Sequence, residues 1–259
     1  MSTGERDSEE IRQAVRERYA SVAGAGSQAE ACCGPTASSC CGPDLDSVLV
    51  DYGELDADVV QGANMGLGCG IPTQHAKIEK GETVLDLGSG GGLDAFLAAR
   101  DVGPEGHVIG VDMTPEMIAL ARLNAGKGNH PNVEFRLGEI EHLPVADNSV
   151  DVVLSNCVIN LVPEKRAVFE EMGRVLRPGG RFCLSDVAYR GTVPEEILAS
   201  VAAYVGCIAG AMEKHAYLEL IRSAGFTDVR IVEEKRIEPF SRDDYGVLSV
   251  TITGRWPVD

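Results

Sequence analysis

The sequence predicts an α/β fold, a doubly wound and mostly parallel sheet with a helical N-terminal extension and an α+β C-terminal extension. Two observations carry this expectation. From Glu82 onward, short apolar runs alternate with helical segments, the pattern of parallel strands joined by crossovers. The first run passes directly into Gly88, Gly90, Gly91 and Gly92, at the carboxyl edge where such sheets bind ligands.

The elements follow in order. Asp7 to Ala23 reads as a helix: Asp7 can cap it with Glu10 three residues on, and Ile11, Val15 and Tyr19 share one face. Gly24 to Pro43 is rich in Gly, Ala, Ser and Pro, carries Cys-Cys-Gly-Pro twice, and is expected to be a mobile loop. Gly62 to Pro72 is glycine-dense and is expected to be irregular. The predicted strands are Thr83 to Leu87, His107 to Asp112, Val133 to Leu137, Val150 to Ser155 and Arg181 to Asp186, joined by four crossovers. Thr114 is expected to cap one helix with Pro115 in its first turn. Pro163 opens another, whose face is Val168, Met172, Val175 and Leu176. After Asp186 come a helical segment through Ala211, a helix from Lys214 to Ala224, and two β-rich runs, Asp228 to Ile237 and Val247 to Thr253. These runs are expected to close the sheet as an antiparallel pair. The chain divides accordingly into an N-terminal helix with cysteine-rich loops (1–78), a ligand-binding core (79–190) and a substrate-side segment with the closing strands (191–259).

Composition narrows the function. The 259 residues are 44% hydrophobic and 24% charged, and no apolar run approaches the roughly 20 residues of a membrane span. Met1 to Glu10 is polar and acidic, unlike a secretory signal, so a cytoplasmic setting and no membrane partner are expected. A net charge of −17 without a basic stripe argues against nucleic acid. Eight cysteines in a reducing compartment point away from a structural disulfide framework and toward metal, metalloid or redox chemistry.

In the glycine turn, Gly88, Gly90 and Gly92 alternate, whereas a dinucleotide fingerprint needs its third glycine where Leu93 stands. Asp112 ends the second strand, 20 residues after Gly92, where its carboxylate can accept from both ribose hydroxyls and would repel a 2′-phosphate. With Asp86 two residues before the first glycine and the Leu-Arg-Pro-Gly-Gly turn at Leu176 to Gly180, residues 80 to 190 resemble a class I methyltransferase, with its Rossmann-like sheet. The resemblance implies S-adenosylmethionine as methyl donor. It also implies that Asp86 orients the methionine moiety or a bound water, that the turn at Gly88, Ser89 and Gly90 approaches the cofactor, and that Asp112 holds the ribose. Met113 would pack on adenine, Ile140 and Glu141 would edge it, and Asn156 would face the sulfonium.

The cysteines suggest the acceptor. Cys157 follows the fourth strand at the carboxyl edge, Cys69 lies in a glycine-rich loop with little apolar context, and Cys207 lies on the segment after the core. Cys183, between Phe182 and Leu184 in the fifth strand, reads as core. Three thiolates from three segments suit As(III), a soft centre with a free, nucleophilic lone pair. Zinc is a weaker fit, because these cysteines are vicinal or isolated and the five histidines lack ligand spacing.

Asn156-Cys157-Val158-Ile159-Asn160-Leu161, Gly-Cys-Gly-Ile-Pro at Gly68 to Pro72, Ile-Glu-His-Leu at Ile140 to Leu143 and Cys-x-x-Gly-Ala at Cys207 to Ala211 resemble arsenite methyltransferases over nearly the whole chain. The resemblance implies that Cys157 and Cys207 bind arsenic throughout, and that Cys69 joins an N-terminal cysteine in a disulfide cycle restoring trivalent arsenic. It leaves open which of Cys32, Cys33, Cys40 and Cys41 corresponds, with Cys33 and Cys41 carried as candidates. Arsenite or its thiol conjugates would be the substrate, arsenic detoxification the role, and a thiol such as thioredoxin or glutathione the reductant. Competing readings are a methyltransferase for a quinone or other small organic acceptor, and a non-enzymatic thiol-rich module that binds metalloid.

Overall fold

Alternation along the central strands decides how the sheet is covered. The computed structural model describes residues 8–25, 52, 62–194 and 210–258. Two helices precede the sheet, α1 (Ser8–Ala25) and the single turn α2 (Pro72–His75). The strands β1 (Thr83–Leu87), β2 (His107–Asp112), β3 (Val133–Leu137), β4 (Val150–Asn156) and β5 (Leu176–Gly191) run parallel in the order β3-β2-β1-β4-β5. Leu85, Leu87, Ile109, Val111, Val153 and Leu184 enter one core cluster, while Val84, Val108, Val152, Leu154 and Cys183 enter another. Successive strand side chains point to opposite faces, so the two clusters are the two faces of one sheet.

Helices bury both faces, as near-continuous apolar strands require. α3 (Leu93–Val102) and α4 (Pro115–Gly128) cover one through Phe96, Leu97, Ile118 and Ala121. α5 (Lys165–Val175) covers the other through Val168, Phe169, Met172 and Val175, each worth about 1.5–3 kcal/mol when fully buried. After β6 (Met212–Glu213), α6 (Lys214–Ser223) adds Tyr217, Leu218 and Ile221 to the same face. β7 (Thr227–Arg236) and β8 (Tyr245–Arg255) complete the sheet, with β8 antiparallel to both β5 and β7. The doubly wound sheet and its closing antiparallel pair are therefore as expected.

Several local expectations need correction. β5 runs from Leu176 to Gly191, longer at both ends than predicted. The Leu-Arg-Pro-Gly-Gly segment is a bulge inside it: Val150 pairs with Leu176 and Val152 with Arg181, so three extra residues are accommodated, with Gly179 at φ +79°. Residues 187–191 continue the strand because β8 pairs with them, so the helix expected after Asp186 does not begin there. The rest of that segment, 195–209, lies outside the described residues, as do Asp7 and residues 26–51, which hold most of the expected loop from Gly24 to Pro43. Thr114 stands at the N-cap of α4 but its side chain caps no helical N–H. The β3–β4 connection, 138–149, contains turns and no helix. α5 side chains satisfy its backbone instead: Glu171 accepts from Leu143 N at 2.7 Å, and Arg174 donates to Leu143 O and Val145 O.

Candidate active site

The strand order reverses between β1 and β4, which opens a crevice at their carboxyl ends. The glycine turn after β1 forms one wall. Gly88 has φ +66°, and a Cβ there would lie 2.1 Å from Val158 Cγ2, so only glycine fits. Val158 follows Cys157, and the glycine turn thereby touches the segment carrying that cysteine. Asp112, at the end of β2, accepts from Gly90 N at 3.0 Å and Thr114 N at 2.9 Å. It both fixes the turn and borders the cleft.

The cleft encloses about 1050 Å3, open mouth included, and brings together Asp86, Gly88, Ser89, Gly90, Asp112, Met113, Ile140, Glu141, Asn156 and Cys157. Every residue expected at the cofactor therefore lines one space. Burial pushes the Asp86 carboxyl well above the ordinary carboxylate range, with Asp94 and Asp112 adding to the effect. Burial raises Asp94 to about 6, against hydrogen bonds from Asn156 and Tyr52. Asp112 is also raised by burial, opposed by the Thr114 and Gly90 N–H groups. Asp86 Oδ2 and Ser89 Oγ are buried without a protein partner at this wall. Orphaned acceptors among crowded carboxyls fit a cationic ligand bearing N–H and O–H donors. S-adenosylmethionine, with its sulfonium, ammonium and ribose groups, has that chemistry. Glu141 is paired with Arg12 of α1, which also lines the cleft, Nη2 to Oε1 at 3.1 Å.

Beyond this wall lies sulfur. Cys157 has φ +57° and donates its N–H to Ser185 O at 2.8 Å, which turns its side chain off the end of β4. It is disulfide-bonded to Cys69 across a Cα separation of 6.0 Å. The family resemblance implies an N-terminal partner for Cys69 and arsenic binding by Cys157; among the described residues, Cys69 and Cys157 pair with each other. The expectation that Cys69 lacks apolar cover fails, since it is 1% exposed and Cys157 is 6% exposed. Val15 of α1, Leu161, Val187, Tyr245 and Val247 enclose the pair. The loop lies tight against the sheet because Gly70 has no side chain: a Cβ there would sit 2.4 Å from Ser185 Oγ. Ser249 Oγ donates to Cys69 O at 2.5 Å. Cys183 is fully buried, its thiol pKa raised by burial first and by Asp94 second, as befits core. Cys207, Cys32, Cys33, Cys40 and Cys41 lie outside the described residues.

Three residues not foreseen belong to this region. Asp186 places a carboxylate oxygen in a group with the Cys69 and Cys157 sulfurs, all within 4.8 Å of one another. It accepts from Val187 N at 2.9 Å and Tyr217 Oη at 3.1 Å, and burial raises it to about 7. Tyr52 and Asp94 line the cleft and bond to Asn156. Asp94 carried a legible signal, an acid in the first turn of α3 beside the glycine turn. Tyr52 stands apart from every motif.

A family model described as a methyltransferase domain matches residues 78–225. An arsenite methyltransferase of Halobacterium salinarum is 47% identical over 98% of this chain and 68% of its own length. Another, from Aquipseudomonas alcaligenes, is 42% identical over 66% of this chain and 51% of its own. Among solved structures, an arsenic(III) S-adenosylmethionine methyltransferase from Chlamydomonas reinhardtii superposes with a TM-score of 0.65 at 34% identity, covering 84% of this chain and 74% of that one. The chain thus spans about half to three quarters of the length of these relatives. With this fold, a cleft matched to S-adenosylmethionine and paired sulfurs beside it, the chain belongs to the arsenite methyltransferase family of S-adenosylmethionine-dependent methyltransferases.

Proposed function

We propose that this chain transfers a methyl group from S-adenosylmethionine to trivalent arsenic held by cysteine thiolates, in the service of arsenic detoxification. The observation that carries the reading is the placement of Cys157, with Cys69 bonded to it, at the end of β4 on the border of the cofactor cleft.

When bound, S-adenosylmethionine supplies an electrophilic methyl group: its sulfonium carbon–sulfur bond breaks as an arsenic–carbon bond forms from the arsenic lone pair. No base has to remove a proton in that step, so the chain's task is positioning. Well-oriented reactants gain about 7–11 kcal/mol over free ones. Asp86 and the turn at Gly88, Ser89 and Gly90 hold the methionine end, Asp112 holds the ribose, and Met113, Ile140 and Glu141 border the adenine. Reduced Cys157 and Cys69, with Cys207, supply the thiolates. Methylation leaves arsenic formally pentavalent; Cys69 and Cys157 return it to the trivalent state by giving two electrons and closing their disulfide. An external dithiol or glutathione-type reductant then reopens the disulfide, reached directly or relayed through Cys33 or Cys41. Arsenite or its thiol conjugates are the substrate, and nucleic acid is not a partner.

The test is arsenite binding and turnover in single variants. Cys157→Ser and Cys207→Ser should each lose methylation of arsenite by more than about a hundredfold while staying folded, because serine is a poor ligand for a soft centre. Cys183→Ser should keep arsenite affinity. Arsenite binding unaffected by both Cys157→Ser and Cys207→Ser would contradict the thiolate site.

A further inference from the structure

One amide holds the Cys69 loop. Asn156 Oδ1 accepts from Cys69 N at 3.0 Å, and its Nδ2 donates to Gly70 O at 2.8 Å. The residue next to Cys157 in sequence therefore binds the N–H of Cys69 and the carbonyl of the residue after it. This works only with the amide in one orientation, oxygen toward Cys69 and nitrogen toward Gly70. Two further side chains set that orientation. Nδ2 also reaches Tyr52 Oη at 2.7 Å and Asp94 Oδ2 at 3.0 Å, and Tyr52 Oη lies 3.2 Å from Asp94 Oδ2 and 3.2 Å from Gly70 O. A carboxylate offers no donor, so Asp94 selects the nitrogen end of the amide. The packing is close enough to be specific: a Cβ on Gly68 would stand 2.9 Å from Asn156 Nδ2 and 3.0 Å from Tyr52 Oη. Tyr52 and Asp94 are both buried and both border the cofactor cleft, and neither has a part in the transfer described above.

We infer that Tyr52 and Asp94 are positioning residues for the thiol pair: they fix the Asn156 amide, which holds the Cys69 backbone within bonding reach of Cys157. The thiol chemistry at the cleft then depends on side chains of the cofactor wall. Loosening the clamp lowers the effective concentration of the Cys69 thiol at Cys157, and the disulfide becomes easier to reduce. The inference deepens the proposed function and rests on its thiol cycle, yet its test needs neither arsenic nor methyl donor.

The experiment equilibrates the full chain in dithiothreitol redox buffers, in which two electrons and two protons from dithiothreitol convert the Cys69–Cys157 disulfide to two thiols. Alkylation and peptide mass spectrometry then read the oxidised fraction of this pair alone. Tyr52→Phe and Asp94→Ala should each shift the midpoint about tenfold in equilibrium constant, about 30 mV toward easier reduction. Asp94→Asn keeps an acceptor oxygen for Asn156 Nδ2 and should stay within about threefold of wild type. Midpoints for Tyr52→Phe and Asp94→Ala within about twofold of wild type would overturn the inference, as would an Asp94→Asn shift as large as that of Asp94→Ala. Tyr52→Phe removes a single hydroxyl, and its result decides the matter if Asp94→Ala does not fold. An absence of arsenite turnover in the wild type would overturn the proposed function and leave this measurement standing.

Discussion

Two carboxyls show how burial sets the chemistry of single residues. Asp112 accepts two backbone N–H groups, so it is part of the glycine turn as well as the expected ribose ligand. Asp112→Ala should weaken S-adenosylmethionine binding by at least about tenfold, loss of a charge-assisted hydrogen bond being worth about 1.5–3 kcal/mol. Calorimetric titration of the folded variant checks this, and unchanged affinity would remove the ribose assignment. Asp186 makes a prediction about pH. Its folded pKa of about 7 stands above its ordinary value of 3.8, so the folded state holds a proton that the unfolded state has given up. The stabilisation is fully present below about pH 4 and is lost as pH rises through about 7. Asp186→Asn keeps an acceptor for Val187 N and a donor toward Tyr217 Oη without the buried charge. The variant should therefore melt a few degrees higher than wild type at pH 8, with little gain at pH 4. Thermal unfolding across that range reads the difference; an equal shift at both pH values would contradict it.

At the scale of elements, α1 is the lid of the cysteine cluster and a brace for the cofactor cleft. Val15 belongs to the same apolar cluster as Cys69 and Cys157, while Arg12 pairs with Glu141 at 3.1 Å and Arg16 with Glu139 at 2.5 Å. Glu141 is only 6% exposed, so removing its partner leaves a buried charge unpaired, at a cost of about 1–3 kcal/mol. Arg12→Ala should consequently loosen α1 and weaken cofactor binding severalfold. Hydrogen exchange faster in residues 8–25 but unchanged in β1 and β4 would be the signature. Unchanged exchange in α1 would show that its apolar face alone suffices to dock it.

Across the whole molecule, legibility followed the range of the interactions. β1, β2 and β3 match the predicted strands residue for residue, because β1 and β2 are short, mostly apolar runs and β3 alternates apolar with charged residues, each bounded by glycine, proline or polar turns. β5 is longer than its local pattern shows, since Pro178 and Gly179 look like a stop and only pairing with β4 and β8 carries the strand through. The glycine turn and Asp112 were legible as neighbours at the carboxyl edge because both sit at strand ends, and they line one cleft. The cover over Cys69 was not, for it comes from α1 near one end of the chain and β8 near the other. Nor was the Asn156 clamp, whose partners Tyr52 and Asp94 lie 104 and 62 residues away in sequence. The place of Cys157 on the cleft border was legible from its position after β4, while its bond to Cys69 spans 88 residues and depends on a loop packed against Ser185 and Ser249.

Methyl transfer to arsenic at this cleft can be followed through the methyl group itself. The full chain would be incubated with arsenite, excess dithiol and S-adenosylmethionine carrying an isotopically labelled methyl, and the arsenic species separated and weighed. Labelled methylarsenicals and S-adenosylhomocysteine should form in proportion, both dependent on arsenite and both abolished in Cys157→Ser. S-adenosylmethionine that binds without labelling arsenic, or labelled arsenic formed equally well by Cys157→Ser, would contradict methyl transfer at this cleft.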